Sequence, residues 1–243
     1  YIMGACLTGG SGWNNGYRII SFIQIALTSI LVFSLPLWKK ETKSSSQTVS
    51  IKSKQFSLKQ LLALPHAKPV LLAFFCYCSL ESTTGLWGSI YMVMEKGITK
   101  ETAAKLIALF YLGITAGRFL SGFLSVKLSS RNMIRLGQSL GLIGIIILLV
   151  SNNQVFTAIG FILIGLGCAP IYPMLLHQTP ERFGKDISQS IMGIQMAFAY
   201  IGSTFTPPIV GFFVEHVCVA LYPIILILFL ILMILLIEPC NKK

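Results

Sequence analysis

The sequence predicts an all-α membrane protein, a polytopic bundle of helices that cross a lipid bilayer. Hydrophobic residues make up 54% of the 243 residues and charged residues 11%, and the mean hydropathy is +0.77. A soluble domain carries about 25% charged residues, so a soluble chain of this composition would expose much apolar surface to water. Because lipid offers no partner for a free backbone amide, the apolar segments must be helical.

Seven apolar runs approach the roughly 20 residues that a transmembrane helix needs. Residues 1–12 look like the stub of an eighth helix. The long connector 39–68 holds a stretch rich in Ser, Thr, Lys and Gln, which predicts a flexible or only partly helical segment. The predicted spans are about 19–38, 69–93, 103–125, 133–150, 155–176, 188–214 and 217–237.

The distribution of Lys and Arg predicts how the chain is oriented in the membrane. With the connector 39–68 in the cytoplasm, the connectors alternate, and fifteen of the nineteen Lys and Arg residues fall on the cytoplasmic side. This asymmetry places the C-terminus of a multi-pass cell-membrane protein in the cytoplasm. It also explains the net charge of +11 without a nucleic-acid partner.

The six cysteines and three histidines form no pattern typical of a metal site. Cys76 and Cys78 are separated by one residue, and no second pair or histidine completes a zinc pattern. The histidines lie near span ends, and the chain has no phosphate-binding loop or hydrolase motif. The sequence therefore predicts no metal site, no cofactor and no enzyme chemistry.

The layout of the spans predicts a two-part bundle. Residues 1–38 form the end of the first part, residues 39–68 form a cytoplasmic linker, and residues 69–243 form a six-helix bundle. The chain begins with Tyr1 rather than Met and shows no signal peptide. We therefore expect an N-terminally truncated fragment that lacks most of the first part.

A segment with glycines and basic residues ends the span 103–125 and continues into the following turn. It reads Gly-Arg-Phe-Leu-Ser-Gly-Phe-Leu-Ser-Val-Lys-Leu-Ser-Ser-Arg. The segment resembles the signature loop of the major facilitator superfamily in its C-terminal copy, although it lacks the acidic residue of the N-terminal copy. The resemblance implies a gating role for the loop residues Gly117, Arg118, Gly122, Lys127 and Arg131.

Three further segments resemble the fucose-permease-like sugar transporters of that superfamily. They are 81–87, the Gly- and Pro-rich segment 165–173, and 206–211. The resemblance implies that 19–38 is helix six and 69–237 are helices seven to twelve of a twelve-helix fold. The partners would then be the lipid bilayer, a small-molecule solute and the missing N-terminal half of the same transporter.

Glu81 has the strongest physical argument for a role, because it is the only acid far from a span end. A charge at mid-bilayer costs several kcal/mol and normally faces a cavity or a partner. Helical spacing places Tyr77, Glu81 and Thr84 on one face, which predicts a polar stripe along a water-filled centre. Glu81 contacts solute, carries a proton or bonds a neighbouring helix. We favour solute contact, since proton coupling in the resembled family is tied to acids of the N-terminal half.

Gln195 and Trp87 complete the predicted substrate-binding set. Gln195 lies inside the span 188–214, and it either bonds a sugar hydroxyl or joins two helices. Trp87 offers either a stacking surface for a sugar ring or ordinary packing. The same two alternatives apply to Tyr91, Tyr172 and Tyr200.

Arg118, near the predicted cytoplasmic end of its span, also has two interpretations. It either pairs with an acid across the gate, with Glu181 as a conceivable partner, or extends to the membrane surface as an ordinary basic residue. Small residues and prolines predict close helix contacts and bends that suit alternating access. These are the Gly-x-x-x-Gly pairs at 113 and 117 and at 137 and 141, and prolines 170, 173, 207 and 208.

The sequence favours secondary active transport of a small polar solute, foremost a sugar, by alternating access coupled to an ion gradient, foremost of protons. No ATP-binding motif is present. A membrane-embedded transferase is an alternative, but it would need clustered acids, histidines or arginines at one membrane face. A non-transporting receptor or assembly partner is another. Because such transporters bind solute between two halves, we expect no transport by the chain alone.

Overall fold

The computed structural model describes Cys6, residues 12–44 and residues 57–241. These residues belong to two compact units, Tyr1–Lys54 and Gln55–Lys243. Every regular element in the described ranges is helical, as the all-α prediction requires. Most of the predicted stub 1–12 and the central part of the predicted linker, residues 45–56, lie outside the described residues.

The first unit contains helix α1, Gly12–Ser44. The helix includes the predicted span 19–38, and its segment Trp13–Pro36 is long and apolar enough to cross a membrane, with a mean hydropathy of 2.1. It continues through residues 39–44, which belong to the predicted linker. Those residues include three lysines and a glutamate. Lys and Glu are good helix formers, so the helix does not end where the hydropathy falls.

In residues 57–241 the second unit contains six long helices, each of which coincides with one predicted span. Five of them are long and apolar enough to cross a membrane. The last of the six helices begins at Leu221 rather than at 217. The backbone N–H of Leu221 bonds the Cys218 carbonyl oxygen, and this turn precedes the helix. Its 17 residues still extend about 25 Å. Two short helices, Leu58–Leu62 and Thr179–Phe183, were not predicted. The helices are α2 Leu58–Leu62, α3 Ala67–Met94, α4 Lys100–Leu124, α5 Ser130–Val150, α6 Gln154–His177, α7 Thr179–Phe183, α8 Lys185–His216 and α9 Leu221–Ile237, and a 3-10 turn Pro239–Asn241 follows.

Helices α3 and α6 hold the second unit together. α3 packs against α8 and α9, α6 packs against α4 and α5, and the contacts of α3 with α4 and of α5 with α9 link the two groups. Large side chains fill the space between them, so a polar group there needs a partner inside the bundle. The largest fully buried side chains include Phe74, Tyr77, Phe110, Phe161 and Tyr222.

Glycines bring α6 close to α4 and α5 at the predicted Gly-x-x-x-Gly pairs. A Cβ atom on Gly113 of α4 would lie 2.6 Å from the Ile162 carbonyl oxygen of α6. A Cβ atom on Gly137 of α5 would lie 2.5 Å from the Gly167 carbonyl oxygen, and one on Gly167 would lie 2.5 Å from the Gly141 nitrogen. Backbone meets backbone at these positions, so no larger residue fits.

The connectors of the second unit alternate between the two ends of the bundle. At one end, the start of α3, the α4–α5 connector, α7 and the turn after α9 line a single cavity, and we call this the basic end. At the opposite end, Lys96 Nζ donates to the Leu148 carbonyl oxygen at 2.7 Å and to that of Ser151. This arrangement agrees with the predicted alternation. The assignment of the basic end to the cytoplasm stays a prediction.

Candidate solute site

Glu81 lies at the middle of α3, and its side chain is half-buried. Its carboxylate interacts electrostatically with the hydroxyl groups of Tyr77, Tyr111 and Tyr172, which belong to α3, α4 and α6. In the described part of the chain no Lys or Arg forms an ion pair with it. The charge is therefore surrounded by hydroxyl groups instead of being neutralised, which suits an acceptor of hydrogen bonds from a polar ligand.

The accessible side of α3 is rotated slightly from the predicted stripe. Cys78, Ser82, Gly85 and Ser89 are half-exposed and recur at helical spacing, with Glu81 at their edge. We call these five residues the open face of α3. The rotation matters because the predicted stripe residues Tyr77 and Thr84 point into the packed bundle, where a solute could not reach them.

Tyr77 and Thr84, which were predicted to share a stripe with Glu81, are buried. The Tyr77 hydroxyl donates to the Cys168 carbonyl oxygen at 3.0 Å, and the Thr84 hydroxyl donates to the Leu80 carbonyl oxygen at 2.7 Å. Neither side chain is more than 1% exposed. A hydroxyl group has one proton to donate, so the structure uses the donors of both residues within the protein.

Trp87 joins α3 to α8. Its indole Nε1 donates to the Pro207 carbonyl oxygen at 2.8 Å. The ring covers Gly211, where a side chain would collide with it. The bond uses the single donor of the indole, and the packing against Gly211 together with half-burial leaves only part of the ring surface for any other contact. The geometry corresponds to the packing alternative.

Gln195 is fully buried and joins α8 to α7. Its Nε2 donates to the Thr179 hydroxyl oxygen at 3.0 Å, and the same hydroxyl lies 3.1 Å from Gln195 Oε1. The exposed fraction of Gln195 is 0%. Both ends of the amide therefore face one residue of the bundle, which corresponds to the helix-joining alternative and not to solute contact.

Tyr111 is a site residue that the sequence reasoning missed. It is 53% exposed, and its hydroxyl lies directly over Gly85, one turn from Glu81. Thr115 and Arg118 follow it on the same side of α4 and are also exposed. The spacing of these polar residues, four and then three apart, is a helical stripe that the sequence contains. That stripe identifies α4 as a second wall beside Glu81.

Tyr172 of α6 interacts with Glu81, and Tyr200 of α8 interacts with Tyr172. The Tyr172 hydroxyl donates to Met196 Sδ at 2.6 Å. Tyr200 is 70% exposed and interacts electrostatically with Tyr172. Tyr91, by contrast, is buried, and it belongs to the core. The tyrosine hydroxyls that interact with Glu81 thus come from three helices, α3, α4 and α6, and Tyr200 of α8 is linked to them through Tyr172.

A sequence model of the Major Facilitator Superfamily matches the chain over residues 1–186 and 70–242. The chain belongs to the Major Facilitator Superfamily. Among curated relatives, an uncharacterised transporter of this type from Yersinia pestis is 26% identical over 158 residues, which are 64% of this chain and 41% of the relative. Bypass of stop codon protein 6 of Saccharomyces cerevisiae is 23% identical over 176 residues, 68% of this chain and 35% of the relative.

Solved structures of superfamily members have a similar fold. FucP in the outward conformation matches with a TM-score of 0.68 and 19% identity, over 82% of this chain and 48% of that one. A variant of the Escherichia coli fucose:proton symporter FucP matches with a TM-score of 0.64 and 19% identity, over 81% of this chain and 48% of that one. A POT family transporter with a bound conjugated peptide matches with a TM-score of 0.62 and 16% identity, over 73% of this chain and 38% of that one. The chain spans less than half the length of these relatives. Family and fold place the chain among the multi-pass membrane proteins of this superfamily.

The segment that resembles the superfamily's signature loop has two parts with different surroundings. Gly117 is buried, and a Cβ atom there would lie 2.5 Å from Ala169 Cβ, whereas Gly122 has open space around it. The backbone N–H of Lys127 closes a turn onto Leu124, and Arg131 lines the cavity at the basic end. Gly117 therefore holds α4 against α6, and the later residues bring positive charge to the basic end.

Arg118 lies between the Glu81 region and the basic end. Its guanidinium acts electrostatically on the Cys168 thiol of α6, with the sign opposite to that of the Glu81 carboxylate. No ion pair joins Arg118 to Glu181 within the described residues. Glu181 lines the cavity at the basic end instead. The gating role of Arg118 stays a prediction.

Proposed function

We propose that this chain forms one wall of a secondary active transporter that moves a small polar solute, foremost a sugar, by alternating access. The observation that carries the proposal is the Glu81 carboxylate on the open face of α3, surrounded by tyrosines and without an ion-pair partner in the described residues. The fold similarity to FucP, a fucose:proton symporter, supports a sugar as solute and proton coupling in the complete protein.

The chemistry of the open face suits a solute rich in hydroxyl groups. A carboxylate accepts several hydrogen bonds, and those bonds are stronger than bonds between neutral groups. Tyrosine hydroxyls both donate and accept, and their rings offer apolar surface to the C–H faces of a sugar. A charge kept within a membrane-spanning helix is costly. A water-filled solute cavity would explain why this one is retained.

We assign solute contact to Glu81, Tyr111 and Tyr200, which are accessible, and a positioning role to Tyr77, which touches Glu81 from the buried side. Thr84, Trp87 and Gln195 then act as structural residues, because their polar groups bond the protein itself. Of the residues that the sequence predicted to bind solute, this assignment retains Glu81. It adds Tyr111, and it treats Thr84, Trp87 and Gln195 as residues that do not contact the solute.

The other parts of the transport cycle follow from the same assignment. The facing wall of the cavity belongs to a second six-helix half in the complete protein, and that half carries the proton-coupling acids. Glu81 binds solute. Arg118 and the signature loop, which lie between Glu81 and the basic end, form the gate on that side. In this scheme the solute binds to Glu81 in one half, and the proton binds to acids of the other half.

Uptake into proteoliposomes tests the proposal. The complete gene product should accumulate radiolabelled fucose, or another sugar from a panel of hexoses and pentoses, under an inward proton gradient. A protonophore should abolish the accumulation, and the 243-residue chain alone should show none. Sugar binding without uptake by the complete product would contradict transport and favour a receptor. Uptake by the chain alone would contradict the need for a facing half.

A further inference from the structure

A large cavity of the second unit lies at the basic end, away from Glu81. It has a volume of about 860 Å³, within the range of about 300–1,000 Å³ that ligand sites occupy. Four separate segments of the chain line it: the turn before α3, the α4–α5 connector with the first turns of α5, helix α7 and the turn after α9. Nothing in the proposed transport cycle uses this space as a ligand site.

The charge in this cavity is predominantly positive. Arg131, Arg135 and Arg182 line it, together with the acid Glu181. Arg135 forms an ion pair with Glu238, so one guanidinium is already partly neutralised. The charge of Arg131 acts unfavourably on that of Arg182, because the two like charges are close to one another. Three guanidinium groups thus share one space with two carboxylates.

The backbone adds to this positive potential. The 21-residue helix α5 begins in the cavity wall at Ser130, and no acidic residue lies in its first turn. The N-terminus of a helix carries a partial positive charge and unsatisfied N–H groups. The N-cap Ser129 accepts a hydrogen bond from the Asn132 amide at 3.4 Å. Arg131 in that first turn therefore has the sign that the helix dipole disfavours, and an anion would relieve this cost.

We propose that the cavity at the basic end binds the phosphate group of an anionic ligand, with Arg131 and Arg182 as the principal contacts. A planar guanidinium bonds phosphate through two parallel N–H groups. The Ser129 hydroxyl in the wall, which accepts a bond from the Asn132 amide, supplies a further donor. The ligand is either an anionic phospholipid headgroup, which basic pockets at the ends of transmembrane helices attract, or a soluble phosphate. The proposal shares Arg131 with the proposed gate, but it does not rest on the transport proposal, since it concerns neither Glu81 nor the solute.

The binding experiment uses the purified chain in a neutral detergent, with phosphatidylglycerol, phosphatidylcholine and inorganic phosphate as separate probes at constant ionic strength. Native mass spectrometry measures lipid binding, and thermal unfolding measures stabilisation. We expect phosphatidylglycerol to raise Tm by about 5 °C at saturation and phosphatidylcholine to have no effect. Inorganic phosphate would reproduce the shift only if the site recognises phosphate without a lipid.

The matched variants are R131Q/R182Q and K100Q/K105Q, which remove the same charge from opposite ends of the bundle. The arginine variant should weaken binding of the effective probe by about tenfold or more, and the lysine variant should leave it unchanged. If R131Q/R182Q unfolds too readily, the single variant R131Q makes the same comparison, because Arg131 is only half-buried. Equal binding by both variants, equal losses in both, or no effect of phosphatidylglycerol and phosphate on the wild type would overturn the proposal.

Discussion

The two sides of α3 carry similar numbers of polar side chains but use them differently. On the buried side, Tyr77, Ser79 and Thr84 are at most 1% exposed, and each bonds a partner within the bundle. On the open face, Glu81 and Ser82 are half-exposed, and the Glu81 carboxylate has no ion-pair partner in the described residues. Polarity in a membrane helix therefore does not by itself indicate solute contact.

The difference has a physical cause. A buried donor or acceptor that loses its partner costs about 1–3 kcal/mol, so the packed side of a helix favours polar groups that bond within the bundle, as Tyr77, Ser79 and Thr84 do. The open face has no such requirement if water or solute completes its bonds. Substitutions on the buried side should therefore lower stability, whereas substitutions on the open face should lower solute affinity.

The largest effect is expected for Glu81→Gln in the complete gene product. Gln keeps the shape of Glu but removes the charge, and a hydrogen bond to a charged group contributes about 1.5–3 kcal/mol. The dissociation constant for the transported sugar should rise about 10- to 150-fold, with little change in Tm. Binding calorimetry measures the constant. Glu101→Gln, an exposed acid at the start of α4, is the control and should behave as wild type.

An intermediate effect of the opposite kind is expected for Gln195→Ala. The substitution leaves the Thr179 hydroxyl without its amide partner in a buried site, which costs about 1–3 kcal/mol. Tm should fall by about 2–4 °C for each kcal/mol, while the dissociation constant for the sugar stays the same. Gln154→Ala, at an exposed position, is the control. A loss of sugar affinity without a loss of stability would return Gln195 to the solute site.

The smallest effect is expected for Tyr111→Phe, which removes one accessible hydroxyl group. A hydrogen bond between neutral groups contributes about 0.5–1.5 kcal/mol, so sugar affinity should fall about 2- to 10-fold at unchanged Tm. Tyr91→Phe is the matched comparison, because the buried Tyr91 hydroxyl donates to the Leu148 carbonyl oxygen at 3.2 Å. That variant should lose stability and keep its affinity. The reverse pattern would show that the two sides were assigned wrongly.

Much of the fold could be predicted from the sequence, because hydropathy alone identifies membrane-spanning helices. The six spans of the second unit were located to within four residues, whereas helix α1 begins seven residues before the predicted span 19–38 and ends six residues after it. The start of α9 was wrong by four residues, because a turn and not a change in hydropathy sets it. The short helices α2 and α7 were missed, since five residues carry too little periodicity to be recognised.

The candidate site was less predictable, because hydrogen-bond partners come from distant parts of the chain. The Tyr77 hydroxyl donates to the carbonyl oxygen of Cys168, which is 91 residues away in the sequence. The Trp87 indole donates to the carbonyl oxygen of Pro207, which is 120 residues away. Helical spacing correctly places residues on a face but does not tell which face is packed. Glu81 could be selected without this knowledge, since an acid at mid-span is unusual whichever way it points.

The most direct test of the central claim compares two serines of α3 that differ only in the side they face. Ser82 is half-exposed on the open face, and Ser79 is 0% exposed and bonded to Thr206 at 2.8 Å. Each is replaced by cysteine in a complete protein whose native cysteines are replaced, and a charged, membrane-impermeant thiol reagent is applied. We expect rapid labelling of Ser82→Cys that the transported sugar slows, and no labelling of Ser79→Cys. Equal rates, or an unreactive Ser82→Cys, would contradict an aqueous solute cavity beside Glu81.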